Sequence, residues 1–242
     1  MTNASMKQQT ALVCGTGPGL GRALVRCFTQ AGMQVAMAAR RLEQLESWSE
    51  ELSGGGARVQ AYACDVTSED EVMHLYRQLQ ADLGVPDLVV YNAGAFKPAK
   101  VVEIQTGDFE NCWRVGCLGG FLVGREAARL MGPRGSGTII FTGATASLRG
   151  GAGFANLAVG KAGLRALAQS MARELGPGGI HVGHVIIDGQ IRSERYAELA
   201  KTRAPDGLLD ADAIAANYLH LHRQPRSAWT LELDLRPWVE KF

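Results

Sequence analysis

Short, almost wholly apolar runs alternate along this chain with longer amphipathic stretches. Thr10–Cys14 reads as a first strand and residues 19–32 as the helix behind it. Residues 35–39 form a second strand, followed by a helix over Leu42–Leu52. The turn Ser53-Gly54-Gly55-Gly56 leads to a strand over 58–64 and a helix over 68–83, with Asp65, Thr67 and Ser68 available near its start as caps. Residues 87–91 are a fourth strand, and a long helix runs over about 106–131. Gly137–Thr142, a helix over 158–175 and a strand over 181–187 continue the alternation. A late helix over 210–222 and a last, alternating strand over 230–235, read as an edge strand, complete it. Strands alternating with helices in this way predict a parallel sheet covered by helices on both faces. No internal repeat or low-complexity linker divides the 242 residues, so one domain is expected, with residues 1–9 a flexible lead-in.

Composition narrows the function. A hydrophobic content of 46% is that of a globular protein, and a formal net charge of +1 gives no bulk attraction to nucleic acid or anionic lipid. No apolar run is long enough to span a bilayer and no signal-peptide pattern opens the chain. The five cysteines (14, 27, 64, 112 and 117) have no paired metal spacing, which predicts reduced, packed thiols in a cytoplasmic protein. The five histidines form no metal constellation.

The chemistry starts at the first strand–helix junction. Gly15-Thr16-Gly17-Pro18-Gly19-Leu20-Gly21 follows the first strand directly and opens the first helix. Glycines there permit a tight turn and close approach of backbone N–H groups to a pyrophosphate, which the helix N-terminus also favours. Pro18 has no N–H, so the other amides must serve. The fold class expected is thus a doubly wound sheet of the Rossmann type. The end of the second strand selects the dinucleotide. An acidic residue there would bind the ribose 2′-hydroxyl of NAD; this chain has Arg40-Arg41, whose guanidinium groups match a 2′-phosphate. NADP is therefore expected over NAD.

Over nearly its whole length the sequence resembles the short-chain dehydrogenase/reductase family. The family's glycine motif corresponds to Cys14-Gly15-Thr16-Gly17-Pro18-Gly19-Leu20-Gly21, its Asp-Val to Asp65-Val66, and its Asn-Asn-Ala-Gly to Tyr91-Asn92-Ala93-Gly94. The lysine of its Tyr-x-x-x-Lys falls on Lys161, and its Pro-Gly after the sixth strand on Asp188-Gly189. The resemblance implies that Asp65 and Val66 meet adenine, that Ile191 and Ser193 hold the nicotinamide carboxamide, and that Lys161 binds the nicotinamide ribose. It also implies a homodimer or homotetramer and a substrate flap over residues 192–209.

The same comparison empties the chemical positions. The family's tyrosine falls on Leu157, its serine on Ala144 and its helix asparagine on Gly116, leaving Lys161 alone. Leucine cannot exchange a proton. Thr142, Thr145, Ser147, Asn156, Asp188, Gln190 and Tyr196 are the polar residues near enough to substitute, with Thr145 the leading one, and Arg149 could meet an acidic substrate. Two functions compete: an NADP-dependent oxidoreductase for a carbonyl or alcohol with a non-standard active site, and a catalytically inactive NADP-binding protein acting as redox sensor or oligomer subunit. A lyase or isomerase independent of NADP is a third, which the retained Arg40, Arg41 and Lys161 oppose.

Overall fold

The computed structural model describes residues 8–53 and 58–240. Residues 1–7 of the expected lead-in, and Gly54-Gly55-Gly56 of the expected turn, lie outside the described residues. Seven strands form one sheet in the order β3-β2-β1-β4-β5-β6-β7, with every neighbouring pair parallel. The strands are β1 (Thr10–Cys14), β2 (Gln34–Ala39), β3 (Val59–Ala63), β4 (Leu88–Tyr91), β5 (Gly137–Thr142), β6 (Ile180–Ile187) and β7 (Glu232–Leu235). Strands β1, β4 and β6 are buried along their whole length, as their unbroken apolar runs require when helices cover both faces. β7, at the edge, is only partly covered.

The helices are α1 (Leu20–Gln30), α2 (Leu42–Leu52), α3 (Glu69–Asp82), α4 (Thr106–Trp113), α5 (Gly119–Met131), α6 (Ala155–Leu175), α7 (Ala197–Thr202) and α8 (Ala211–His222). One core layer joins α3, α5 and α6 to one face of the sheet through residues such as Leu75, Val123, Phe141 and Leu164. The other joins α1, α2 and α8 to the opposite face through Leu24, Phe28, Leu45 and Tyr218. Consecutive crossovers change direction between β1 and β4, so a crevice opens at the carboxyl ends of those strands.

Apart from shifts of one or two residues at several other element ends, three features differ from the sequence reading. The helix expected to begin at residue 158 begins at Ala155, because Gly153 (φ +79°) turns the chain into it. The last strand begins at Glu232, because the Thr230 N–H is drawn off to the Gln224 side chain at 2.8 Å. The long helix is interrupted by a π-turn over Arg114–Leu118. There the Tyr91 hydroxyl donates to the Val115 carbonyl, and the Gly119 N–H reaches back five residues to Arg114. Of the cap candidates, Ser68 is the N-cap of α3, its hydroxyl accepting from the Glu71 N–H.

Candidate active site and dinucleotide cleft

The glycine loop is built by close contact between two strand ends. Gly15 has φ +90°, and a Cβ there would lie 2.3 Å from the Ala93 nitrogen. Asn92 holds the loop by donating its side-chain amide to the Gly15 carbonyl at 3.0 Å, while the Thr16 hydroxyl donates to the Val13 carbonyl. At Gly17 and Gly19 a Cβ would meet nothing within 4 Å, so the backbone there faces open space. The N–H groups of Gly19, Leu20 and Gly21 have no acceptor among the described residues. Free amides, an open approach and a helix N-terminus together fit a pyrophosphate.

Beside the loop lies a cavity of about 530 Å³ lined by Gly17, Pro18, Arg40, Arg41, Gln44 and Trp48 among others. Arg40 and Arg41 are exposed at its rim, and neither makes a hydrogen bond or short ion pair within the described structure. Arg41 is the residue immediately before α2, where a cation is unfavourable unless an anion sits beside it. Across from them, burial opposes the charge of Asp65. Hydrogen bonds from the Thr67 N–H and hydroxyl, with the positive fields of Arg40 and Arg114, outweigh it and hold its carboxyl below the usual range. Val66 is buried in the core.

Lys161 lies further along the crevice on α6, buried to 6% exposure. Its Nζ donates to the Thr142 carbonyl at the end of β5 at 2.7 Å and faces Gly94, where a Cβ would come within 3.7 Å. Burial pulls its pKa down from the usual lysine value to about 8. Leu157, half-buried, stands one helical turn before it. Ala144 follows Thr142 by two residues, and Gly116 packs against Gly160, where its Cβ would lie 3.1 Å from the Gly160 Cα. The helices have closed over the place where an asparagine side chain would need room.

The residues considered as substitutes are mostly engaged elsewhere. The Thr145 hydroxyl donates to the Asp188 carboxylate, whose other oxygen lies 3.3 Å from Arg236. Asp188 thus anchors the loop after β5 to the end of β6. Thr145 opens a short 3-10 turn. Asn156, 1% exposed, donates its amide to the Lys97 carbonyl at 2.7 Å. Thr142 shares its hydroxyl with Tyr218 at 2.9 Å, and the Ser147 oxygen accepts from the Ala144 N–H. Ile191 pairs with Leu209 just beyond β6, and Ser193 is exposed at the start of the segment carrying Tyr196 and α7.

Two features were not foreseen. The segments leaving Gly94 and entering α6 are joined, with Phe96 stacked on Phe154 at 4.8 Å, making an aromatic wall beside Leu157. His184 on β6 is held by Glu232 at 3.1 Å, and Glu232 is clamped by two of the three guanidinium nitrogens of Arg165. Both are contacts between distant segments, without a local motif. Among the described residues no cluster of three His, Cys, Asp or Glu side chains could hold a metal ion, and no helix is long and apolar enough to cross a membrane.

Comparison with known proteins agrees with this geometry. The short chain dehydrogenase family model matches residues 9–204. The structure of a short-chain dehydrogenase from Rhodopseudomonas palustris superposes with a TM-score of 0.84 at 39% identity, covering 95% of this chain and 99% of that one. Nodulation protein G of Rhizobium sp. (strain N33) is 31% identical over 72% of this chain and 70% of its own length. Sorbitol-6-phosphate 2-dehydrogenase of Escherichia coli (strain K12) is 29% identical over 87% and 83%. The glycine loop folded onto Asn92-Ala93-Gly94, with Lys161 buried at the end of β5, is thus carried by a chain that belongs to the short-chain dehydrogenase family, a family of nicotinamide-dependent oxidoreductases.

Proposed function

We propose that this protein is an NADP-dependent oxidoreductase that interconverts a carbonyl and an alcohol. The observation that carries the choice of NADP is the pair Arg40 and Arg41, exposed at the rim of the cavity beside the glycine loop with no hydrogen bond or short ion pair among the described residues. Gly15, Gly17, Gly19, Leu20 and Gly21 would hold the pyrophosphate, and Arg40 and Arg41 the 2′-phosphate. Asp65, Val66, Asn92, Ala93 and Gly94 would line the adenine and ribose path, and Ile191 and Ser193 the carboxamide. Lys161 would hold the nicotinamide ribose. Bound there, the dinucleotide supplies or accepts a hydride. The chain's own part is to orient it, to exclude water with the Phe96–Phe154 wall and the 192–209 segment, and to place a proton at the substrate oxygen.

The reading extends to one domain, a cytoplasmic location and a homodimer or homotetramer. Phe109, Trp113 and Phe121 are exposed on α4 and α5, which supports association through those helices. Calorimetric titration with NADPH, NADH and a non-nucleotide control tests the cofactor. Tight NADPH binding is expected; no binding of either dinucleotide would overturn the reading.

A second reading, an NADP-binding protein without catalysis, is favoured by Leu157, Ala144 and Gly116 at the positions where the family resemblance expects tyrosine, serine and asparagine. It predicts the same NADPH affinity with no turnover of any carbonyl or alcohol.

A further inference from the structure

We propose that Lys161 itself carries the proton to and from the substrate oxygen, taking over the task that the resemblance assigns to a tyrosine. This rests on the oxidoreductase reading above. Most of the other polar groups around the end of β5 are committed to partners within the protein. The Thr145 hydrogen is committed to Asp188, so that oxygen offers a substrate only lone pairs. Asp188 is held between Thr145 and Arg236. Asn156, 1% exposed, donates its amide to the Lys97 carbonyl. Thr142 and Ser147 point their hydroxyls into the interior, toward Tyr218 and the Ala144 N–H.

Lys161 differs from all of these. An ammonium has three hydrogens, and one is used, on the Thr142 carbonyl. No carboxylate pairs with it. β5 offers it a carbonyl, the segment after β4 offers Gly94, and β6 offers His184, a neutral ring held by Glu232. Burial holds the His184 ring down to about 4, so it adds no competing charge near neutrality. Arg165, one turn further along α6, is neutralised by Glu232. Burial alone, with no opposing charge, favours the neutral amine. The resulting value of about 8 makes both protonation states available near neutral pH.

The step balances as follows. In reduction, a hydride from the dinucleotide forms the new C–H bond, the C=O π bond breaks, and the oxygen takes a proton from Lys161 Nζ. Lys161 is left as a neutral amine and regains its proton from water. In oxidation the neutral amine takes the hydroxyl proton as the hydride leaves carbon. Reduction must therefore slow as pH rises through about 8, and oxidation must quicken over the same range.

The test uses the full chain with NADPH and 4-nitrobenzaldehyde, an apolar aromatic aldehyde suited to the Phe96–Phe154 wall. It compares Lys161→Arg, Lys161→Met and Tyr196→Phe, each checked for an unchanged melting transition. Arginine keeps the charge but cannot release its proton. NADPH binding is read calorimetrically in two buffers of different ionisation enthalpy, which counts protons taken up. We expect proton uptake on binding near pH 8 in the parent and in Tyr196→Phe, and none in either Lys161 variant. Aldehyde reduction should fall about 100-fold or more in both Lys161 variants, with little change in Tyr196→Phe. Binding of NADPH without aldehyde reduction, a rate that Lys161→Arg sustains with the parent pH profile, or loss confined to Tyr196→Phe would each overturn the proposal and leave the cofactor assignment standing. Absence of NADPH binding in the parent would overturn both.

Discussion

Replacing Arg40 by aspartate isolates the group that selects the dinucleotide. Arg40 is exposed and has no hydrogen-bond partner, so its removal disturbs no packing. A hydrogen bond to a charged group contributes about 1.5–3 kcal/mol, and solvent exposure places this one near 1.5, roughly tenfold in affinity. The introduced carboxylate then faces a phosphate at close range, adding about 1 kcal/mol of repulsion even at the dielectric constant of water. Arg40 also lends its field to Asp65, which without it would be offset by Arg114 and the Thr67 hydrogen bonds alone. NADPH binding should weaken by roughly 50- to 100-fold, the sum of these effects, while NADH, which lacks the phosphate, changes little. The assay is calorimetric titration of both dinucleotides at low and high salt, and the difference should shrink as salt screens it. Equal weakening of NADPH and NADH, or no weakening, would refute the assignment of Arg40 to the 2′-phosphate.

Further outcomes follow from single contacts. Gly15→Ala should destabilise the fold by about 2 kcal/mol or more and abolish dinucleotide binding, since φ +90° and a backbone atom at 2.3 Å leave no place for a Cβ; denaturant unfolding and calorimetry check both. Leu157→Tyr with Ala144→Ser should raise aldehyde reduction by about tenfold or more by restoring acid–base groups, whereas Gly116→Asn should lower the melting temperature because of the 3.1 Å approach of Gly160. His184 and His222 are buried neutral, their folded pKa values depressed to about 4. Unfolding lets them bind protons, so their contribution to stability is complete above about pH 6.5 and is lost as pH falls from there toward 4. Urea unfolding at pH 7.5 and 5.0 should show the loss, and a stability independent of pH across that interval would contradict it.

The alternation of apolar runs and amphipathic stretches was enough to place every strand and, to within one to three residues, most helix ends, whereas α7 fell inside the segment read only as a flap. Burial on both faces demands continuous apolar strands, and that demand is local. The glycine loop and the arginines at the end of β2 were legible for the same reason, since a tight turn and a charge choice are each made within a few residues. Two of the differences arose where a side chain from another segment intervened, Gln224 at Thr230 and Tyr91 at the π-turn, and the third where Gly153 turns the chain into α6.

The sequence by itself determined the sheet, the glycine loop, the arginines at the end of β2 and the leucine at position 157. These are set by residue type and short spacing. Only the tertiary structure decided what the remaining polar groups are free to do. A hydrogen can be donated once, and whether Thr145 gives its own to a substrate or to Asp188 depends on a contact between residues 43 positions apart. Likewise, the depressed proton affinity of Lys161 comes from burial between β5 and the segment after β4, a desolvation that no stretch of sequence displays.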